Sequence, residues 1–561
     1  MTDFQAARPV RNQDYTSATV VIVGAGISGL CMAIDILKRT QCRNILILEK
    51  GSQVGGTWND NKYPGCACDV WSALYSFSFE QKSDWTKEYP GQEELRDYVI
   101  HVAEKYGLYK YIRFNTAVHE ARWDDTRLQW KVNVAVSGAK DSQFHESYKI
   151  TTDFLVSAVG QLNVPSWPSI PGLDDFNGKL MHSARWDWTY DFAGATSVQI
   201  VPELAKSVSH LTVYQRTPNW ILPRYNTSVS SVQQFFLSYV PLVRWCKRAI
   251  MMQLREASHS AIAKSESSIS QYIRKMAADS MKSQLCDKPE LWDKLIPNYS
   301  PGCKRVIPSD DYYVALNQKH VDLETRPIKR VTELGIETAD GDLQEYDFII
   351  AATGFRTVEF MHPIQVYGIN GRPVSEIWKN GATAYYGVTV EDLPNFGMLY
   401  GPNTNLGHNS VILMIEAQSR YLSTLIGEIV RAKAQGDSLA LQPRPDVVSA
   451  FNDRIQAELQ NSSFADPNCH SWYKLDDGRI TNNWPGRVVQ YQREISRVRW
   501  EDYHIEGTGK RRVEGKKATR IGRVQEELPV RPATLVLGAL GVALAVGGYY
   551  MNGAGAMRWR R

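Results

Sequence analysis

The chain has 561 residues, of which 43% are hydrophobic and 22% are charged, enough for two or three packed domains. A formal net charge of +4 is too small to indicate a nucleic-acid partner. The 8 cysteines are scattered, with no CxxC pair and no histidine at zinc spacing, so we expect no metal site, no disulfide framework and a reducing compartment. Residues 1–18 are polar, and no signal peptide is expected.

The first predicted elements are a short buried strand, a glycine-rich turn and an amphipathic helix. Residues 20–23 are aliphatic, Gly24, Gly26 and Gly29 form a G-x-G-x-x-G pattern, and the helix continues over residues 30–38. In a dinucleotide-binding turn the first glycine makes the bend, the second lets a diphosphate approach the backbone, and the third lets helix and strand pack closely. The N–H groups at the helix start would then hold the diphosphate.

A second strand brings an acidic residue to the same place. Residues 45–48 are aliphatic and end in Glu49, twenty residues after the last glycine, where a carboxylate can bind a ribose hydroxyl. We therefore predict a dinucleotide site rather than a plain strand–turn–helix. Further strands are predicted at residues 117–123, 130–136 and 154–159, and the last of these returns the chain to the first sheet.

A proline-containing linker at residues 163–171 separates these elements from a second region. Residues 233–288 are mostly helical by periodicity, and their polar faces indicate a lid or an insertion rather than a membrane span. The other predicted elements are helices at residues 195–205 and 410–429 and strands at residues 210–214, 346–352 and 396–399.

The C-terminal end has a different composition. Residues 533–551 are nineteen residues without a charge, a length that roughly spans a hydrocarbon core of about 30 Å. Residues 510–531 carry eight basic and three acidic side chains, and a buried core helix would not follow such a charged linker. We therefore predict a single C-terminal membrane anchor. Both flanks are positive, so charge alone does not set its orientation.

Three further motifs occur in a fixed order along the chain. They are G-G-x-W at residues 55–58 followed by Y-P-G at 63–65 and Asp69, F-x-G-x-x-x-H-x-x-x-W-D at 176–187, and A-T-G-F at 352–355. Together with the glycine-rich turn, they resemble the flavin-dependent Baeyer–Villiger monooxygenases, particularly the membrane-anchored fungal type, over roughly residues 15–505. The motif at 176–187 is the most specific, because simpler flavin monooxygenases usually lack its final Trp-Asp.

The resemblance implies an α/β fold with two dinucleotide-binding, Rossmann-like domains and a C-terminal transmembrane helix. A discontinuous FAD-binding domain would surround an inserted NADPH-binding domain. The implied segments are a leader (1–18), the FAD domain (19–162 and 341–505), the NADPH domain (163–340, with a helical insertion at about 231–290), a basic linker (506–531), the anchor (532–552) and a basic tail (553–561).

The resemblance also assigns residues to each cofactor. The implied FAD-binding residues are Gly24, Gly26, Gly29, Glu49, Thr57, Trp58, Asn59, Asp60, Asp69, Val70 and Tyr75. The implied NADPH-binding residues are Ala67, Gly194, Arg216, Thr217 and Lys304. Arg216 would contact the 2′-phosphate that distinguishes NADPH from NADH, and Lys304 would reach the same group.

The implied reaction uses FAD, NADPH and O2. NADPH reduces the flavin, oxygen adds to it, and the resulting peroxyanion attacks a ketone to give an ester or lactone. Such an anion needs a fixed cation in a dry site, and Arg305, with Asp69 orienting it, matches the family's catalytic pair. His182 and Trp186 would couple domain motion, with a buried structural histidine as the alternative. The expected substrate is hydrophobic and secondary-metabolite-like, and the catalytic part is expected to be cytosolic.

The sequence departs from the family pattern just before the predicted helix at residues 195–205. A second strand and glycine loop belong there, but the chain runs Y-D-F-A-G-A-T-S-V-Q over residues 190–199, so that about ten residues are absent before Gly194. Losing five buried strand residues forfeits on the order of 10 kcal/mol, comparable to the stability of a whole domain. Either the working protein contains a segment that this sequence lacks, or the chain has lost NADPH binding.

Two other functions remain open at this point. One is an N- or S-hydroxylating flavin monooxygenase, which the Trp-Asp at residues 186–187 disfavours. The other is a catalytically impaired, membrane-tethered FAD-binding protein, which the incomplete glycine loop favours and the retained Asp69 and Arg305 disfavour.

Overall fold

A computed structural model describes residues 16–137, 146–189 and 197–524. The strands are β1 Ser17–Val23, β2 Ile45–Leu48, β3 Ile112–Arg113, β4 Thr116–Asp124, β5 Gln129–Val136, β6 Ser147–Ser157, β7 Lys179–His182, β8 Leu211–Tyr214, β9 Ile221–Leu222, β10 Ile307–Pro308, β11 Val321–Glu324, β12 Ile328–Val331, β13 Gly335–Thr338, β14 Leu343–Glu345, β15 Phe348–Ala351, β16 Gln365–Tyr367, β17 Phe396–Met398, β18 Ala440–Pro443, β19 Arg497–Val498, β20 Tyr503–Glu506 and β21 Thr519–Arg520. The α-helices are α1 Ile27–Arg39, α2 Thr57–Asp60, α3 Gln92–Lys105, α4 Ser197–Leu204, α5 Ser231–Tyr239, α6 Pro241–Ala263, α7 Ser268–Gln284, α8 Trp292–Leu295, α9 Tyr312–Leu316, α10 Val374–Ile377, α11 Ile412–Lys433, α12 Pro445–Gln460 and α13 Val488–Glu494.

The largest sheet has the strand order β16-β4-β5-β6-β1-β2-β3, with β17 also paired to β6. Within it, β1 lies parallel to β2 on one side and to the middle strand β6 on the other. Residues 18–23 are all buried, as expected for a parallel strand covered on both faces. Helix α1 packs against the long helix α11 from the other end of the sequence. The predicted first α/β unit is confirmed, and strands from both ends of the chain share this sheet.

The region between residues 163 and 351 is built from smaller pieces. Strand β7 pairs in parallel with β15, β8 with β11, and β9 with β10. Helices α5, α6 and α7 follow one another between β9 and β10, which confirms the helical character expected at residues 233–288. The strands predicted at 210–214, 346–352 and 396–399 are confirmed within a few residues as β8, β15 and β17.

One expectation about the cysteines is wrong in part. The structure contains a disulfide between Cys303 and Cys469, which are 166 residues apart in the sequence. It lies in a small buried cluster with Trp220 and Tyr299. The bond joins two loops that meet only after folding, so cysteine spacing could not reveal it. The other cysteines, all within the described residues, are free.

No described helix combines the length and apolar character needed to cross a bilayer. The anchor predicted at residues 532–552 lies outside the described residues, so this observation does not bear on it.

A buried carboxylate fastens the helical insertion to the rest of the protein. Glu256 on α6 accepts hydrogen bonds from the Asn409 side chain at 3.0 Å and from the backbone N–H of Val488 at 3.3 Å. His408 Nε2 lies 3.3 Å from the same oxygen, and the ring of His259 packs against His408 with a centroid distance of 5.0 Å. Burial opposes the charge, but the hydrogen bonds outweigh it and lower the pKa of Glu256.

We expect Glu256→Gln to destabilise the protein by about 1–3 kcal/mol at neutral pH, because the amide cannot satisfy donors that now share a carboxylate. A carboxyl group with a lowered pKa stabilises the fold above its ordinary value of 4.5, and this contribution is lost as the pH falls through the lowered pKa. The difference in melting temperature between wild type and variant should therefore have its full size at pH 7 and disappear below about pH 4.5.

Thermal unfolding across pH measures this difference, with Glu266→Gln as the matched control, since Glu266 is exposed on the loop after α6. A melting difference that stays constant down to acidic pH would show that the charge of Glu256 is not what holds the helix.

Candidate active site

In the glycine-rich turn between β1 and α1, close packing requires a glycine at two positions but not at the third. Gly24 has a φ of +106°, and a Cβ there would lie 2.6 Å from the Ala158 carbonyl oxygen. A Cβ on Gly29 would lie 1.9 Å from the Gly24 carbonyl oxygen. On Gly26 it would meet only Gly56, with Cα at an ordinary 3.5 Å and N at 3.8 Å. Packing therefore does not require a glycine at position 26, and the space beside it is open. A ligand that approaches the backbone at this position would fill that space.

Glu49 is held at the edge of this turn. Its carboxylate accepts the backbone N–H of Ala25 at 2.7 Å with one oxygen and that of Gly51 at 2.8 Å with the other. Burial raises the pKa of Glu49, although both hydrogen bonds favour the charged form. Each oxygen keeps a further lone pair, so the side chain fits the predicted ribose contact.

The predicted flavin-lining segment lies directly against the turn. The N–H of Gly55 donates to the Ala25 carbonyl at 3.1 Å, and α2 begins one residue after Gly56. The indole N–H of the buried Trp58 donates to the Tyr75 hydroxyl at 3.1 Å. The structure thus brings the motif at residues 55–60 together with the glycine turn, as the resemblance implies.

Asp69 and Arg305 form a two-point ion pair. Arg305 Nη2 donates to Asp69 Oδ1 at 2.8 Å, and its Nε donates to the other carboxylate oxygen. A weaker contact joins Nη1 to the Leu406 carbonyl at 3.4 Å. Burial disfavours the guanidinium charge, but the Asp69 carboxylate outweighs it and raises the pKa of Arg305. The site therefore holds a permanent, oriented cation beside the predicted flavin position.

Sequence reasoning missed a second arginine at this place. Arg255 on α6 donates to the backbone carbonyl of Asp69 at 3.4 Å, and its guanidinium lies 4.8 Å from the centroid of the Trp71 ring. Burial lowers the pKa of Arg255. The helical periodicity of the insertion does not distinguish this arginine from the solvent-facing ones.

Buried asparagines were also missed. The Tyr400 hydroxyl donates to Asn405 Oδ1 at 2.6 Å, while Asn405 Nδ2 has no partner among the described residues. Asn482 Oδ1 and Thr481 Oγ1, on the neighbouring segment, are likewise buried and unpartnered there. Unsatisfied buried polar atoms on these two adjoining segments fit a polar ligand edge. The G-P-N pattern at residues 401–403 and T-N-N at 481–483 are the only sequence signals for this set.

Two of the predicted NADPH residues lie close together. Lys304 has a lowered pKa, caused by burial and then by the neighbouring charge of Arg216. Neither side chain forms an ion pair with a described residue, so the two cations are available to an anion. Thr217 follows Arg216 directly. Arg216 and Lys304 fit a phosphate group, because they are two neighbouring cations without a carboxylate paired to them among the described residues.

Helix α4 is tied to the first domain by the Y-P-G motif. Gln199 donates to the Ala67 carbonyl at 3.1 Å and accepts from the Tyr63 hydroxyl at 3.3 Å. A Cβ on Gly65 would lie 2.3 Å from the Gln199 carbonyl oxygen. The predicted contact residue Ala67 thus lies at the start of the helix that should hold the second nucleotide.

The central strand of this second unit is absent from the described residues. The pairs β8–β11 and β7–β15 are not joined by any described strand, and Gly194 lies in residues 190–196, outside the described part. The hydroxyls of Tyr214 on β8 and Tyr346 before β15 lie 3.1 Å apart. All residues of β8 are half-buried, whereas β1 is buried almost throughout.

The other two motifs meet at His182. Its Nδ1 accepts the Ala184 N–H at 3.0 Å, and its Nε2 lies 3.4 Å from Thr353 Oγ1. Burial lowers the pKa of His182. A neutral, hydrogen-bonded ring between β7 and the end of β15 fits the structural alternative for this residue.

The structure combines a glycine turn of the dinucleotide-binding type, a half-buried Asp69–Arg305 ion pair and a second pair of cations, Arg216 and Lys304, as expected of the class of oxidoreductases that bind two nucleotide cofactors. A family model described as flavin-binding monooxygenase-like matches residues 17–253. The chain is 60% identical over 559 residues to the FAD-binding monooxygenase ktnD of Aspergillus niger, covering 98% of this chain and 91% of that protein.

A Baeyer–Villiger monooxygenase of Streptomyces coelicolor is 37% identical over 502 residues, covering 88% of this chain and 93% of that protein. The crystal structure of OTEMO in complex with FAD and NADP superposes with a TM-score of 0.73 at 25% identity, over 85% of this chain and 97% of that one. The chain therefore belongs to the family of flavin-dependent Baeyer–Villiger monooxygenases.

We expect Gly29→Ala and Gly26→Ala to fail in different ways. Gly29→Ala should destabilise even the cofactor-free protein by about 1–3 kcal/mol or more, because its Cβ collides with backbone. Gly26→Ala should leave that stability within about 0.5 kcal/mol but weaken FAD binding at least tenfold. Thermal unfolding of the apoprotein and FAD titration measure the two effects. Wild-type FAD affinity in Gly26→Ala would exclude the predicted cradle.

Proposed function

We propose that this protein is an FAD- and NADPH-dependent monooxygenase that inserts one oxygen atom of O2 beside a ketone carbonyl, giving an ester or lactone. The observation that carries the proposal is the ion pair between Asp69 and Arg305, the two residues that match the family's catalytic pair. When bound, the flavin supplies the electrons and the activated oxygen.

Arg305 provides a fixed cation where negative charge develops during oxygen transfer. Its planar fork can keep Asp69 on one side and present the remaining N–H groups to the reacting oxygen. Asp69 orients the guanidinium, and Arg255 restrains the backbone of Asp69 from the helical insertion. The residues Thr57, Asn59, Asp60 and Val70 would complete the FAD contacts around Trp58 and Tyr75.

Arg216 and Lys304 would bind the 2′-phosphate of NADPH, with Thr217 beside them. The diphosphate of the same cofactor needs the loop around Gly194, and the sequence lacks about ten residues before that glycine. We therefore expect the chain as written to reduce its flavin poorly. A segment missing from this sequence and a genuine loss of NADPH binding both explain this feature.

We further propose a single C-terminal membrane anchor at residues 532–552 with the catalytic part in the cytosol. The support is the uncharged run at residues 533–551 and the basic segment before it. An anchored enzyme would meet hydrophobic ketones that partition into the bilayer.

The competing function, N- or S-hydroxylation, would give N- or S-oxides in place of an ester or lactone, so product analysis distinguishes it.

We expect Arg305→Ala to lower oxygenation about 100- to 1,000-fold, the loss typical of removing one donor to a developing oxyanion. Flavin reduction should persist, because the cation acts after electrons reach the flavin. Ester formation and anaerobic flavin bleaching by dithionite measure the two steps. Arg431→Ala, at an exposed arginine on α11, is the control. Full oxygenation by Arg305→Ala would exclude the assigned role.

We expect anaerobic mixing with NADPH to bleach the flavin of this chain slowly or not at all. Inserting a strand of about five apolar residues and the first glycine before Gly194 should restore rapid bleaching, because β8 and β15 would gain a shared central partner. Flavin absorbance measures both. Rapid bleaching without the insertion would show that the shortened segment still builds a nucleotide site.

A further inference from the structure

Helix α5 has its apolar stripe on the outside. Val232, Phe235, Phe236 and Tyr239 follow the i, i+3, i+4, i+7 spacing of one helix face, which in a soluble domain packs against the core. Here all four are exposed, Phe235 by 57% and Tyr239 by 73%. Leu237 is the only residue of α5 that is buried.

The polar face of α5 makes the contacts with the protein. Gln234 Nε2 donates to the Trp85 carbonyl at 3.0 Å, and Ser238 Oγ donates to Ser83 Oγ at 3.1 Å. Ser230 caps the helix by accepting the Gln233 N–H at 3.2 Å. The helix is therefore well formed and specifically docked with its apolar face toward solvent.

The apolar face continues past the turn into α6. Leu242 is 66% exposed at the first turn of α6, and Val243, Ile250 and Leu254 follow along one line of that helix, all exposed. We call these eight side chains the elbow surface: Val232, Phe235, Phe236, Tyr239, Leu242, Val243, Ile250 and Leu254. Monomeric soluble proteins rarely leave so many large apolar side chains contiguous in water.

The sequence of the elbow carries basic but no acidic residues. Residues 225–255 contain no Asp or Glu, and the two basic side chains nearest the turn, Arg244 and Lys247, are half-buried, with Lys247 paired to Glu88 at 2.7 Å. Arg244 donates to the Leu237 carbonyl at 3.2 Å and so lies between the two helices at the turn. Aromatic and aliphatic side chains with nearby cations are typical of helices that lie in the interface of an anionic membrane.

The length of the C-terminal tether supports the same partner. The described chain ends at residue 524, and only residues 525–531 separate it from the proposed anchor. Seven residues span at most about 25 Å when fully extended. An anchored chain therefore keeps its catalytic part within reach of lipid, where an exposed apolar face would bury itself.

We propose that the elbow surface inserts into the headgroup region of the bilayer to which the chain is anchored. This rests on the anchor proposed above. Along α6, the turn at Leu242 lies roughly 20 Å from Arg255, which contacts Asp69, while Ile250 and Leu254 continue the elbow surface along the same helix. The docking fixes the orientation of the active site relative to the membrane.

The test uses the full chain in vesicles of phosphatidylcholine and phosphatidylserine, with and without bromine on the acyl chains. A thiol-reactive fluorophore is placed at Phe236→Cys in a Cys246→Ser, Cys286→Ser background. The matched probe is Leu334→Cys, because Leu334 is an apolar residue of similar exposure, 55%, in a turn between β12 and β13. The background protein without an added cysteine measures residual labelling.

We expect the brominated lipid to reduce emission at position 236 about twofold, since interfacial helices bury their apolar face about 5–10 Å deep, and to leave position 334 unchanged. Omitting phosphatidylserine should weaken the effect. Flotation of the vesicles, followed in the same samples, reports the anchor separately.

Each other outcome overturns the inference. A chain that floats without quenching at position 236 keeps its anchor but carries the elbow surface away from lipid. A chain that does not float has neither the anchor nor the membrane contact of the elbow surface. Its oxygenation activity is measured independently and so reports on the proposed reaction alone. Lipid-independent shielding of position 236 from iodide identifies the C-terminal segment as the occupant, and shielding that grows with protein concentration identifies a second copy.

Discussion

The ion pair between Asp69 and Arg305 is the contact on which the rest of the site depends. It joins residues that are 236 positions apart in sequence, one after the flavin-side motif and one after the helical insertion. A half-buried guanidinium without a partner is costly, and a carboxylate without one equally so. In the pair, the carboxylate of Asp69 raises the pKa of Arg305 and holds the guanidinium in one orientation. The Cys303–Cys469 disulfide fixes the loop that presents this arginine.

Helix α6 carries that constraint away from the site. Arg255 restrains the backbone of Asp69, and Glu256, one residue later, holds the loop at residues 408–409 and the start of α13. The same helix begins at the exposed elbow. A single rigid element thus connects the charged pair, a buried carboxylate and the apolar outer face, so a displacement at one end moves the other.

The sequence predicts well what local pattern determines. The aliphatic run at residues 20–23, the following glycines and Glu49 lie where their spacing places them, because a strand–turn–helix depends on neighbours in the chain. Periodicity identifies which residues of α5 share a face, but it cannot say that this face points outward. The disulfide and the contacts of Glu256 could not be predicted either, because each joins residues far apart in sequence.

The two α/β units show which part of nucleotide binding the missing strand affects. In the first unit β1 is buried between β2 and β6, and its end leads directly into the glycine turn. In the second unit β8 has β11 as its described partner and stays half-buried. Arg216 follows β8, and Lys304 lies next to the disulfide, so neither cation depends on a central strand. The chain thus retains the two cations proposed to bind a 2′-phosphate, while its sequence lacks the strand that would hold the diphosphate.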